Sequence, residues 1–539
     1  MTQIFFNFCC HFAVISWFMR NIAMSNSNGI TRRDFLLATV LTPAVAPALM
    51  STLTSAHAGT KSIPGKRPNF LFILPDQHRY DWLGGDPDLP IRTPNIDSLV
   101  SRGTRFCQAF VASPVCGPSR ACLASGREFD HSGVGDNFTV YPTAQKTYYE
   151  KLRDAGYYVG ACGKLDLSKP AFDNGLDGRN HMSEWGFSDL VNCAGKGDAV
   201  LKWDEFKTPF EPYMAYMVRR GVADIHAKDI ASRGGGRAVG PEAYAKTFPT
   251  PIGDEDYEDN WIGRTGIEMM RRFPREQPWH MVVNFAGPHD PEDITRRMEK
   301  TVRDRRFRAP NQSTQLTPEQ HQAIRQNYTA MVENIDRWVG IYLDELRMRG
   351  ELDNTIIVFS SDHGEMLGDH DRWGKNVPYE ASVGVPLIVA GPGVQNRNSD
   401  ALVSLIDIGA TFLDYAGAAR PEGMTARSFR PLLEGKTDTH RDYVLSGLYN
   451  WRMVRDRHYK LIEGFEPAQQ KGYGSVPKGA ARPVVLFDLM ADPEESVNIA
   501  DAHPDVVERM KKLLPVRNPD PNYGFASPEA KKAYGRHKA

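Results

Sequence analysis

Cys116 opens the string Cys-Gly-Pro-Ser-Arg-Ala-Cys-Leu-Ala-Ser-Gly-Arg, which ends at Arg127. Pro118 suits the first turn of a helix and Gly126 its end. The thiol then lies just ahead of backbone N–H groups that lack helical partners, a setting that favours an anion. Taken alone, such a residue also reads as a buried structural cysteine at a loop–helix junction. Two further pairs could do chemistry, Asp76 with Gln77 and Asp362 with His363. Two carboxylates, an amide and an imidazole make a divalent-cation site. Oxygen donors suit calcium or magnesium, and the imidazole leaves manganese open.

Those pairs are 286 positions apart, so the fold must bring them together. Residues 68–77 read Pro-Asn-Phe-Leu-Phe-Ile-Leu-Pro-Asp-Gln, a short continuous apolar run that turns polar, which is the pattern of a strand buried on both faces. Residues 354–361 repeat it and deliver Asp362 and His363; residues 280–285 and 385–390 are further candidates. Between them, Ile324, Tyr328, Met331, Ile335, Val339 and Leu343 recur at three- and four-residue spacing, predicting a helix over 318–349 with Gly350 as its stop. The alternation predicts an α/β fold, a large helix-flanked and mainly parallel sheet. In such sheets ligands gather beyond the carboxyl ends of the strands, where Asp76 and Asp362 can meet. Residues 195–260, with Gly234-Gly-Gly and several prolines, are expected to be irregular excursions that shape a pocket. After about residue 430, short β-like runs at 443–448, 451–462 and 484–489 predict a smaller C-terminal α+β domain containing an antiparallel sheet. The expected division is 1–58, 59–430 and 431–539.

The chain has 539 residues, 41% apolar and 24% charged, with 65 Lys+Arg against 66 Asp+Glu. A net charge of -1 argues against nucleic acid as a partner, so any affinity for anions must be local. Seven cysteines without a C-x-x-C pair support neither a disulfide scaffold nor a zinc ribbon.

The Cys116 string resembles the C-x-P-S-R signature of the sulfatases, members of the alkaline phosphatase superfamily, with its downstream Gly-Arg. The resemblance runs from about residue 68 to about residue 501. It implies an alkaline phosphatase-like fold, oxidation of Cys116 to formylglycine by a formylglycine-generating enzyme, and one divalent metal, expected to be Ca2+, with Mg2+ and Mn2+ open. Asp76, Gln77, Asp362 and His363 match the metal set, with the Cys116-derived group as a further ligand. Gly163-Lys164 matches a Gly-Lys element whose lysine binds the sulfate group. Gly287-Pro-His289 matches the element whose histidine contacts it, and Trp373-Gly-Lys375 brings the active-site lysine. Asp492-Pro-Glu-Glu495 resembles the closing turn of the family.

Through this resemblance the expected reaction is hydrolysis of a sulfate ester on a sulfated carbohydrate, another glycan or a small molecule such as an aryl sulfate. A formylglycine hydrate, activated by the metal, attacks sulfur. His289 or Lys375 donates the proton to the leaving alcohol, Lys164 and Lys375 stabilise charge, and Arg120 orients the formylglycine. One position departs from the pattern: Gly163-Lys-Leu-Asp166 stands where the family often has Gly-Lys-x-His. Asp166 is therefore read as the base for the second hydroxyl, as an ion-pair partner of Lys164, or as a mark of another substrate subclass, with His131 as the alternative imidazole. The rival readings of the whole chain are a phosphonate or phosphate ester hydrolase of the same superfamily and, if Cys116 stays a thiol, a sulfated-glycan-binding protein without catalysis.

Upstream, Thr31-Arg-Arg-Asp-Phe-Leu-Leu precedes an uncharged stretch from Phe35 to Thr60 that contains Ala56-His-Ala58. This looks like a twin-arginine export signal with an A-x-A cleavage site, which implies the twin-arginine translocase as a partner and a periplasmic or secreted location. Pro43 and Pro47 argue against a membrane anchor. Met24 reads as the true start.

Overall fold

The computed structural model describes residues 66–234, 240–469, 474–476, 481–520, 522–529 and 531. The export signal expected within 1–58 lies outside the described residues. Strand β1 (Asn69–Leu74) is buried along its whole length. It is hydrogen-bonded on one side to β6 (Trp279–Asn284) and on the other to β7 (Thr355–Ser360), both parallel to it. Its alternate residues feed two cores. Phe70, Phe72 and Leu74 join the cluster with Ala121, Tyr148 and Phe412, and Leu71 and Ile73 join the one with Ile262, Ile335 and Val339. A strand with both faces covered by helices needs no polar alternation, which is why its sequence is one apolar run.

The other strands of the large sheet are β2 (Gly103–Phe106), β4 (Tyr158–Lys164), β5 (Asp189–Cys193), β6 (Trp279–Asn284), β7 (Thr355–Ser360), β8 (Leu387–Ala390) and β9 (Arg397–Ser399), while β3 (Ala109–Phe110) and β10 (Val403–Ser404) form a small parallel pair. The order across the large sheet is β5-β4-β6-β1-β7-β8-β2-β9. All pairings are parallel except those of β8, which runs against both β7 and β2. Four neighbours, β4, β6, β1 and β7, therefore end on the same side. Beyond their last residues stand Leu165, Phe285, Pro75 and Ser361.

The predicted long helix spans Pro318–Met348. It has proline in its first turn and a capping box between Thr317 and Gln320, and its six predicted core residues are buried. After it Gly350 takes a left-handed φ of 66°. The expectation of irregular chain over 195–260 is corrected. Between β5 and β6 the chain forms helices Lys196–Phe206, Pro212–Arg220 and Ala223–Ser232 and begins the helix Glu258–Arg272. The prolines and glycines there punctuate helices instead of preventing them: Pro212 opens one, and Gly221 closes it in a left-handed conformation.

The C-terminal sheet is an antiparallel meander of β11 (Val444–Leu448), β12 (Trp451–Arg455), β13 (Tyr459–Glu463) and β14 (Val484–Asp488). One face (Met453, Ile462, Val485) joins the main core. The other (Val454, Leu461, Leu486) is covered by Val507 and Met510 of the helix Pro504–Lys511. The run read as continuous over 451–462 is two strands, because the Asp456 carboxylate accepts the N–H groups of His458 and Tyr459 and turns the chain. Among the described residues no helix is long and apolar enough to cross a membrane.

Candidate active site

Cys116 is the first residue of a ten-residue helix, Cys116–Ser125, every residue of which is buried. Val115 enters in extended conformation and Gly126 closes the helix at φ 65°. The Gly117 N–H donates to Asn137 Oδ1 at 2.8 Å. The helix start faces the ends of β1 and β7. Cys116 Sγ lies 3.3 Å from His363 Nε2 and 3.7 Å from Asp76 Oδ1. Asp76, Cys116, Asp362 and His363 place one ligand atom each within 4.8 Å of one another, all four buried.

Arg120, one helical turn on, ties this cluster together. Its Nε donates to Asp362 Oδ2 at 2.9 Å, Nη2 to Asp76 Oδ2 at 3.1 Å, and Nη1 to Asn284 Oδ1 at 2.9 Å and the Lys164 carbonyl at 2.6 Å. One planar guanidinium thus braces the ends of β1, β4, β6 and β7. Gly163 makes the approach possible: a Cβ there would stand 1.9 Å from the Asn284 carbonyl oxygen, and its φ is +92°.

Lys164 Nζ pairs closely with Asp76 and lies 3.6 Å from Cys116 Sγ. Burial and the Asp76 carboxylate push the Cys116 thiol up, but Lys164, Lys375 and His363 outweigh them and hold it well below its usual range. Burial likewise works to raise Asp76, and Lys164, His289, Arg120 and Lys375 together hold it well below the ordinary carboxylate value. The site is built to keep negative charge at the tip of the helix.

A cleft of about 270 Å³ opens from this point, with Lys164, Lys169, His289, Lys375, Trp373 and Tyr449 among its lining residues. Lys375 Nζ lies 2.5 Å from His289 Nε2, and the other ring nitrogen of His289 is 2.7 Å from the Asp290 carbonyl. Lys375 is set by its neighbour Asn376, at φ 77°, whose N–H donates to the Pro114 carbonyl. The Asn376 carbonyl accepts a hydrogen bond from the buried Trp451 of β12.

Cys116, Arg120, Lys164, Asp76, Asp362 and His363 therefore meet as expected, and His289 and Lys375 face the same cleft. Gln77 is placed differently from its partners. Its backbone N–H donates to Asp362 Oδ1 at 3.1 Å, while its side-chain oxygen accepts from Lys375 and its amide nitrogen donates to Glu365 and to Asp290 Oδ1. Asp166 sits between two lysines, 3.3 Å from Lys164 and 3.0 Å from Lys169. His131 is exposed at the end of a short helical turn, whereas the cluster is buried. Asn284, Lys169, Asp290, Glu365 and Tyr244 complete the surroundings without having been read from sequence as site residues. Asp290 and Glu365 lie one and two positions beyond expected ones, a signal that adjacency could have given. Tyr244, whose hydroxyl donates to Glu365 Oε2 at 3.1 Å, sits in the proline- and glycine-rich excursion and had none.

A family profile described as Sulfatase matches residues 68–418, and one described as N-sulphoglucosamine sulphohydrolase, C-terminal, matches residues 368–518. The chain is 25% identical over 477 residues to the arylsulfatase of Clostridium perfringens, an alignment that covers 83% of this chain and 94% of that protein. It is 25% identical to the N-acetylglucosamine-6-O-sulfatase of Bacteroides thetaiotaomicron, covering 88% and 89%. Its fold matches the crystal structure of the phosphonate monoester hydrolase of Agrobacterium radiobacter with a TM-score of 0.67 at 22% identity, over 83% of this chain and 95% of that one. That last likeness is one of fold. With the profile running from the strand before Asp76 to the helix after β10, well over half of the sequence, the chain belongs to the sulfatase family of sulfuric ester hydrolases.

Proposed function

We propose that the Cys116 cleft hydrolyses the sulfate ester of a sulfated carbohydrate or an aryl sulfate, with Cys116 converted to formylglycine. The observation that carries this is the buried convergence of Cys116 with Asp76, Lys164 and His363 beside a cleft lined by Lys164, His289 and Lys375. The family implies a divalent metal, and the donor set fits one: two buried carboxylates and an imidazole, crowded where only cations can balance them. Asp76, Asp362 and His363 would hold it, and Gln77 would brace Asp362 through its N–H. Calcium is the ion we propose; restoring activity after chelation with calcium, magnesium or manganese in turn ranks the three. When present, the metal and the formylglycine supply an activated oxygen nucleophile.

The chain's own residues do the rest. Lys164 and Lys375 meet the sulfuryl oxygens, and their charge grows in value as water leaves the cleft. His289 or Lys375, in contact with each other, would give a proton to the leaving alcohol. Arg120 fixes the carboxylates. Mass analysis of the Cys116 peptide, with turnover of 4-nitrophenyl sulfate, tests the proposal. The peptide should be lighter by the exchange of sulfur for oxygen and loss of two hydrogens, and Cys116→Ala should lose turnover by several powers of ten. Unmodified Cys116 in fully active enzyme would end this reading. Matched phosphate and phosphonate esters, turned over faster than the sulfate, would favour the phosphoryl alternative.

We also propose export by the twin-arginine route, on the strength of Arg32-Arg33 and the uncharged stretch after them. Cell fractionation tests it, and active enzyme confined to the cytoplasm would refute it.

A further inference from the structure

A second cavity, of about 410 Å³, lies beside the β11–β12 hairpin. Tyr449, at the tip of that hairpin, lines both this cavity and the catalytic cleft. Three arginines line the second space, Arg452, Arg482 and Arg517. Arg452 is fully engaged, its Nε and Nη2 gripping the two oxygens of Asp130 at 2.6 and 2.5 Å. Among the described residues the other two, Arg482 exposed and Arg517 half-buried, have fewer partners. Arg482 Nη1 and Arg517 Nη2 both reach the same atom, Glu463 Oε2, each at 3.3 Å, and Arg517 adds one bond of 3.2 Å to the Asn450 carbonyl.

A guanidinium presents five N–H donors in a planar fork. One carboxylate oxygen, met end-on at 3.3 Å, does not satisfy two such forks. The electrostatics agree: burial, then Arg452 and Arg482, pull the Arg517 guanidinium down, and Glu463 offsets this only in part. Asp520 also lines the cavity, with its carboxylate accepting the Asn522 N–H at 2.9 Å. Phe129, Tyr523 and Phe525 supply flat apolar wall. Apolar walls with a few placed charges are the usual make-up of a ligand pocket, and a paired guanidinium suits a sulfate or carboxylate.

We propose that this cavity is a second anion subsite, which takes a further sulfate or carboxylate of the same oligosaccharide whose scissile ester occupies the Cys116 cleft. The inference rests on the sulfate-ester reading and sharpens it, because it makes the preferred substrate a polyanionic glycan instead of a simple aryl sulfate.

Calorimetric binding of sucrose octasulfate, a fully sulfated disaccharide, and of inorganic sulfate tests it on full-length protein carrying Cys116→Ala. R482Q/R517Q should weaken octasulfate binding about ten- to a hundredfold, the loss expected for two charge-assisted contacts. Glu463→Gln, which releases both guanidinia from their shared partner, should tighten it, a gain that misfolding cannot produce. Unchanged octasulfate affinity in R482Q/R517Q, or no gain in Glu463→Gln, would overturn the proposal. So would inorganic sulfate binding as tightly as octasulfate and being lost with the same arginines, since the cavity would then serve a free anion. With Cys116 intact, R482Q/R517Q should lower kcat/KM on a polysulfated oligosaccharide and leave 4-nitrophenyl sulfate within about twofold; equal loss on both would also overturn it. Failure of the parent enzyme to release sulfate from both 4-nitrophenyl sulfate and the polysulfated oligosaccharide would instead sink the sulfate-ester reading, and the binding comparison would still decide whether the arginines hold an anion.

Discussion

Asp166 lies within the charge balance around Cys116 without touching its sulfur. Its carboxylate bridges Lys164 and Lys169, and Lys169 is held in addition by Asp198 at 2.9 Å. Both ammonium groups engage this carboxylate, and we propose that its role is to fix Lys164. Asp166→Asn should therefore raise KM several-fold for a sulfate ester and show no burst of alcohol ahead of the steady state. Rapid-mixing kinetics checks this. A burst with a trapped sulfo-enzyme would restore Asp166 as the base for the second step. The sequence alone left these roles open because a residue two positions after Lys164 in a continuing strand would share its face but stand about 6.6 Å farther along. Asp166 instead follows the end of β4 and takes a left-handed φ of 55°, which swings it back to the lysine.

At the scale of elements, the helix Asp407–Ala416 shows how a single carboxylate anchors a layer of the fold. Asp407, fully buried, accepts the N–H groups of Ser404 and Arg427 and pairs with Arg441 and His440. Burial works to raise its carboxyl, and Arg441 and His440 outweigh it, holding it down to about 2. A carboxyl whose pKa is depressed by folding lends stability above its unfolded value, near 3.9, and that stability is lost as pH falls through the folded value. About 2 kcal/mol should disappear between roughly pH 4 and pH 2 from this group. Thermal melts over that range should show a shallower acid slope in Asp407→Asn, which starts from lower stability at neutral pH because Arg441 loses its main partner. The strands that deliver Asp76, His289 and Asp362 were legible in sequence because both of their faces are apolar. β4 was not, although it delivers Lys164: Gly160, Cys162 and Gly163 give it no β-forming signature. Its glycines are required by contact with neighbours, as the close approach to Asn284 shows, and a contact of that kind leaves no periodic trace. The helices over 196–232 were hidden for another reason: Gly195 and Gly221 at caps and Pro212 in a first turn are residue types that elsewhere mark loops.

Across the whole molecule, charge is balanced in number but not in place. The net formal charge is -1, yet lysines and a histidine crowd the catalytic cleft and arginines the cavity beside it. The C-terminal sheet is also tied to the rest of the chain by ion pairs. Lys460 of β13, with no exposed surface, pairs with Glu380 at 2.6 Å and Glu495 at 2.5 Å and donates to the Pro378 carbonyl at 3.1 Å. Lys460→Met would leave those buried carboxylates short of a partner, with Arg455 serving only Glu380. A loss of about 3–5 kcal/mol is expected, read from the denaturant midpoint. Because Glu380 and Asn376 follow closely on Lys375, kcat should fall at temperatures where the fold still holds. The enclosure of Cys116 has a further consequence, and it concerns time. With only 1% of its surface exposed and a wholly buried helix behind it, its sulfur is beyond the reach of any second protein's active site once the fold has closed. If Cys116 is converted as proposed, the converting enzyme must act before the residues that follow β1 and β7 gather around it. On that proposal each molecule's competence is decided once, before folding closes, and a copy that folds with its thiol intact keeps it.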